Sequence, residues 1–108
     1  MPIIFIESQY PVHKNKEVLA AWLRAIEKYP RPEGMFTTLV DTAVNSDKNG
    51  LKVLSAHLIN PGKYEEASAY FLKFMTEFFD IEGFSYEFDN WLTIEEAMES
   101  IEEKMPER

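Results

Sequence analysis

Cysteine is absent from the 108 residues, which removes disulfide bonds, thiol nucleophiles and thiolate metal sites together. Glycine is almost as scarce, with four residues, and no glycine-rich phosphate loop or nucleophile turn is spelled anywhere. Positive charge is also in short supply. Eleven Lys and Arg stand against 19 Asp and Glu, a formal charge of -8, and a field of that sign repels phosphate backbones, arguing against a nucleic-acid partner. No apolar run nears the roughly 18 residues of a membrane span. The opening MPIIFIESQY has no basic flank, long apolar core or small-residue cleavage site, so it does not read as a secretory signal. The expectation is one cytoplasmic domain over residues 1–108, with no membrane partner.

What is present is apolar and aromatic. At this length a chain buries somewhat over 60% of its unfolded surface, by rough scaling. A content of 45% hydrophobic and 14% aromatic residues is generous for so small a core and points to a surface shared with a second chain.

IIFIESQY (3–10) is rich in β-branched and aromatic residues, and Pro11 closes it, as expected of a first strand. Asn15 is placed to cap the helix KEVLAAWLRAIEKY, whose Val18, Trp22, Ile26 and Tyr29 form one stripe. Pro30 and Pro32 end that helix. MFTTLVDTAV (35–44) and LKVLSAHLIN (51–60) flank NSDKNG and read as a hairpin, paired here with Asn45 opposite Gly50 and with Asn-Gly supplying positive φ. Pro61-Gly62 opens a helix over about 63–80, with Ala67, Phe71, Met75 and Phe78 on one face and Tyr64, Tyr70, Phe74 and Ile81 widening it. FSYEFDNW (84–91) alternates as a fourth strand, with Tyr86 and Trp91 on opposite faces. Thr93 and Glu96 then form a capping box for a last helix reaching about Lys104, with Ile94, Met98, Ile101 and Met105 along its apolar side.

The order β-α-β-β-α-β with right-handed crossovers predicts an α+β, ferredoxin-like domain: a four-stranded antiparallel sheet, order 4-1-3-2, with both main helices on one face. Alternation along the strands sends Ile4 and Ile6, and in the third strand Leu54, Ala56 and Leu58, toward the helices. Ile3, Phe5, Glu7, Gln9, Phe36, Thr38, Val40, Thr42, Val44, Leu51, Val53, Ser55, His57 and Ile59 are then expected on the open face. A face so apolar marks an interface or ligand surface. The layout over residues 3–92 resembles the dimeric α+β-barrel superfamily, which includes small antibiotic-biosynthesis-type monooxygenases, stress-responsive barrel proteins and muconolactone-isomerase-like enzymes. The resemblance implies a homodimer with sheets packed face to face and a cavity for a small apolar or aromatic ligand. It rests on element order and face polarity and carries over no catalytic residue.

His57 is the sharpest single residue, since an imidazole near pKa 6.5 can act as a general base or a hydrogen-bond anchor. Glu7, a carboxylate inside an apolar strand, is its expected partner in an acid-base pair. The blander readings are a histidine bonded to Thr38 or Ser55 within an interface, and a solvated glutamate. Phe5, Phe36, Trp22 and Phe71 would wall a ligand site, with Thr38 and Ser55 adding hydroxyls. Tyr64, Tyr70, Phe74 and Phe78 extend the aromatic surface, as core or as pocket. His13, in the loop before the first helix, shows no metal-ligand spacing with His57, and neither metal nor cofactor is expected. The functional expectation is a small-molecule-binding homodimer, in its enzymatic form a cofactor-independent oxygenase or isomerase. The other expectation is a non-catalytic structural or regulatory module whose sheet face is only an interface.

Overall fold

The structure is a computed structural model and describes residues 1–102. β1 (Ile3–Tyr10) leads through one 3-10 turn, Val12–Lys14, into α1 (Asn15–Lys28). β2 (Phe36–Asp47) and β3 (Gly50–Ile59) form the hairpin, followed by α2 (Tyr64–Met75), a 3-10 turn at Thr76–Phe78, β4 (Ser85–Trp91) and α3 (Ile94–Ser100). The strands make one four-stranded sheet in the order β2-β3-β1-β4, and every pairing is antiparallel. This is the expected α+β, ferredoxin-like topology. Among the described residues no helix is long and apolar enough to cross a membrane.

Local chemistry explains most boundaries and revises some. Asn15 is not a cap: it is the first α-helical residue, and its Oδ1 accepts a 3.1 Å hydrogen bond from the Tyr10 hydroxyl. That bond ties the end of β1 to the start of α1. The buried positions of α1 are Val18, Ala21 and Ala25, and the two alanines let the helix approach the 3-10 turn after α2 closely. Trp22 and Ile26 consequently lie to the side and are 37% and 43% exposed. In α2 the predicted stripe of Ala67, Phe71, Met75 and Phe78 is buried throughout, although the helix tightens into its 3-10 turn from Thr76. The capping box is formed, with Thr93 Oγ1 accepting from the Glu96 backbone N–H and Glu96 Oε1 from that of Thr93. α3 ends at Ser100, and the expected extension past residue 102, Met105 included, lies outside the described residues.

The turn between β2 and β3 is tighter than predicted. Asp47 pairs with Gly50 and Asn45 with Lys52, leaving only Lys48 and Asn49 in the loop. Neither has positive φ; Gly50 carries it, at 128°, as in a type I turn followed by a glycine bulge. Asp47 holds the loop by accepting from the Asn49 backbone N–H at 2.7 Å. Two irregularities in β2, between Thr38 and Val40 and between Val40 and Ala43, absorb the difference between the predicted and observed registers.

The faces of the sheet differ from the sequence reading in one decisive respect. Residues directly opposed in an antiparallel ladder share a face. β1 meets β3 as Ile4 with His57, Ile6 with Ser55, Ser8 with Val53 and Tyr10 with Leu51. Ile4, Ile6, Ser8 and Tyr10 are buried on the helix side, so Leu51, Val53, Ser55, His57 and Ile59 face the helices too. Phe36 and Thr38, paired with Ile59 and His57, join them. Leu54, Ala56 and Leu58 instead share the open face with Glu7, Phe5 and Ile3, and the irregularities bring Val40 there opposite Ala56. The polar look of Ser55 and His57 made the alternate residues of β3 seem the inward set. Burial of those polar atoms is tolerated because hydroxyls satisfy them and because a cavity adjoins them.

Candidate functional site

The helices do not close fully onto the sheet. Between them lies a cavity of about 440 Å³, within the usual range for small-molecule sites. Ile6, Ser8, Tyr10, Val53, Ser55 and His57 on the sheet form its floor, and Phe71, Phe74, Met75 and Phe78 line it from α2 and the turn that follows. Leu19, Trp22 and Ile26 of α1 flank it, and Phe84 lines it from the segment before β4. Tyr29, Arg31, Asp41 and Thr42 also line it. Arg31 Nη2 donates to Asp41 Oδ1 at 3.1 Å, and both side chains are more than half exposed, which places this pair at the mouth.

His57 sits in the floor at 5% exposure. Its ring lies 4.4 Å from that of Phe71, and Phe36 meets it edge-on at 5.2 Å and 77°. Nδ1 is 3.0 Å from Thr38 Oγ1 and Nε2 is 3.1 Å from Ser55 Oγ. Burial lowers its pKa from 6.5 to about 4, helped by the Arg31 charge and opposed by Asp41. The imidazole is therefore neutral at ordinary pH, with one nitrogen donating and the other accepting. Tyr70 donates from its hydroxyl to the Tyr29 carbonyl at 2.9 Å, pinning α2 to the end of α1, and burial raises its pKa.

Of the residues singled out from sequence, His57, Ser55, Phe36, Trp22 and Phe71 line this one cavity, and Thr38 bonds the back of His57. Tyr70, Phe74 and Phe78 line it as well, whereas Tyr64 is 40% exposed and lies elsewhere. Phe5 and Glu7 do not belong to it. They occupy the other face, Phe5 against Trp91 at 5.9 Å and Glu7 exposed between Leu54 and Glu87. The expected Glu7–His57 pair is separated by the sheet itself. His13 is exposed in the 3-10 turn after β1.

Ser8 and Asp41 were not read from the sequence. Ser8 had a signal, since it follows Ile4 and Ile6 at the same parity and a serine there must lie under the helices. Asp41 had none, because its position depends on the irregularities in β2. Compared with known families and with curated proteins, the chain matches no family model and no curated sequence.

Proposed function

We propose that this chain binds a small, largely apolar molecule in the cavity between its sheet and helices. The supporting observation is the floor, where a buried imidazole and serine hydroxyls stand at the base of an aromatic-walled space of about 440 Å³. Apolar walls supply affinity, and a few placed polar groups set orientation. The enzymatic version of this reading, cofactor-independent isomerisation or oxygenation, asks His57 to take a proton from the ligand. An imidazole with a depressed pKa and both nitrogens already beside hydroxyls is a weak base for that, so the geometry favours binding. Melting temperature should rise with the logarithm of ligand concentration for a flat aromatic compound. Val53→Phe, which fills the floor with apolar volume, should lower affinity at least about tenfold; unchanged affinity in that variant would refute the cavity as the site.

A second part of the proposal concerns the opposite face. Ile3, Phe5, Leu54, Ala56, Leu58 and Trp91 share it, and Trp91 is 59% exposed. That arrangement supports a homodimer joined sheet to sheet, an interface that would operate independently of the cavity. Phe5→Asp puts a charge into the middle of this patch and should convert the dimer to monomer in sedimentation equilibrium. A chain that is monomeric to begin with would remove this part of the proposal and leave the binding site untouched.

A further inference from the structure

The floor of the cavity carries information about the ligand itself. Ser8 is 7% exposed and lines the cavity, so its hydroxyl borders that space. A hydroxyl in that position can bond whatever occupies the space. Ser55 lies on the neighbouring strand, two residues beyond Val53, the residue opposite Ser8, so the serines are diagonal neighbours on one face, roughly 7 Å apart. Their oxygens present two polar points along one edge of an otherwise aromatic chamber.

Ser55 differs from Ser8 in having His57 behind it. When Nε2 accepts, the Ser55 hydroxyl donates to it and its lone pairs face the ligand; when Nε2 carries the proton, Ser55 accepts and its own hydrogen turns outward. Thr38 Oγ1 at Nδ1 accommodates either tautomer, because a hydroxyl both donates and accepts. His57 thus serves as a positioning residue, and Ser55 is the atom that meets the ligand.

Charge is the remaining constraint. The formally charged side chains among the lining residues are Arg31 and Asp41, paired with each other at the mouth. No cation stands at the floor to compensate a buried anion, and an ion desolvated there without a partner is strongly disfavoured. We infer that the ligand is an uncharged, planar aromatic molecule carrying two neighbouring hydrogen-bonding groups on one edge, one held by Ser8 and the other by Ser55. This rests on the cavity being a binding site.

Four probes of one shape separate these statements: naphthalene, 2-naphthol, 2,3-dihydroxynaphthalene and 2-naphthoate, titrated calorimetrically against the intact protein. Affinity should rise from naphthalene through the naphthol to the diol, by about threefold to tenfold per hydroxyl. The carboxylate should bind at least about tenfold more weakly than the naphthol. Ser8→Ala and Ser55→Ala should each remove one hydroxyl's increment from the diol, a selective loss relative to naphthalene, and circular dichroism with thermal unfolding shows independently that each variant is folded. If 2-naphthoate binds as well as 2-naphthol, or the diol gains nothing over naphthalene, the inference is overturned and the binding site stands. If none of the four binds, both fail.

Discussion

Gly50→Ala is expected to cost at least about 3 kcal/mol of stability, a fall of roughly 12 °C or more in Tm for a domain of this size. A Cβ at that position would lie against the Tyr10 carbonyl oxygen, with the Tyr10 carbon at 3.1 Å and Pro11 Cα at 3.3 Å. All three are backbone atoms and cannot swing aside as a side chain can. The φ of 128° adds a conformation that L residues rarely adopt. Relief would require β3 to move away from the end of β1, where Tyr10 pairs with Leu51 and bonds Asn15. The control is Gly62→Ala: φ there is 75°, with nothing within 4 Å of the new carbon, so only the backbone preference of roughly 1–2 kcal/mol is lost. Urea unfolding of the two variants beside the parent measures the difference. Equal losses would mean that the close approach at Gly50 is not real.

The second large effect is a pH dependence traceable to one residue. Unfolded, the His57 imidazole takes a proton near 6.5; folded, it does so at about 4. Above 6.5 the ring is neutral in both states and the full stability is present. Between 6.5 and 4 the unfolded chain binds the extra proton, so stability falls as the solution is acidified, and the loss is complete below about 4. The charged groups that act on the ring are Arg31, which disfavours protonation, and Asp41, which favours it. A dry interior would make the change about 3 kcal/mol; because the cavity adjoins the ring and admits water, about 2 kcal/mol is the better figure. The paired carboxylates Asp47, Glu77 and Glu96 have lowered pKa values, so the stability they contribute starts to fall only as the pH nears the ordinary carboxylate range, and it is common to the parent and to His57→Phe. Denaturant unfolding at intervals from pH 7.5 to 4 should show the slope in the parent and its loss in His57→Phe. A slope that survives the substitution would assign the effect elsewhere.

How far sequence reaches in this chain can be followed on His57 itself. Its strand was legible, as were the hairpin, the neighbouring Thr38, the aromatic face of α2 and the topology that combines them. Hydrophobic periodicity and turn chemistry are local properties, and each leaves a mark within about ten residues. Even the pairing of Phe36 with Ile59 and of Thr38 with His57 followed from hairpin reasoning. The face was not legible, because β1 and β3 are joined through a helix and another strand. Their relative register is a non-local choice, and a slip of one residue exchanges the two sides of a strand. Polarity was the only guide, and it favoured Leu54, Ala56 and Leu58 as the inward set.

Glu7 and Phe5 show the consequence. Parity within β1 placed both on the open face, where they are found, but the supposed company of His57 there was lost once the β1–β3 register was known. The sequence alone determined the elements, their order and the sheet topology, because short-range pattern and turn chemistry are sufficient for these. Only the tertiary structure decided that His57 and Ser55 lie under the helices beside Ser8, and that the helices leave a cavity above them. Those outcomes depend on register and on helix–sheet distance, and both are set by packing between segments distant in the chain.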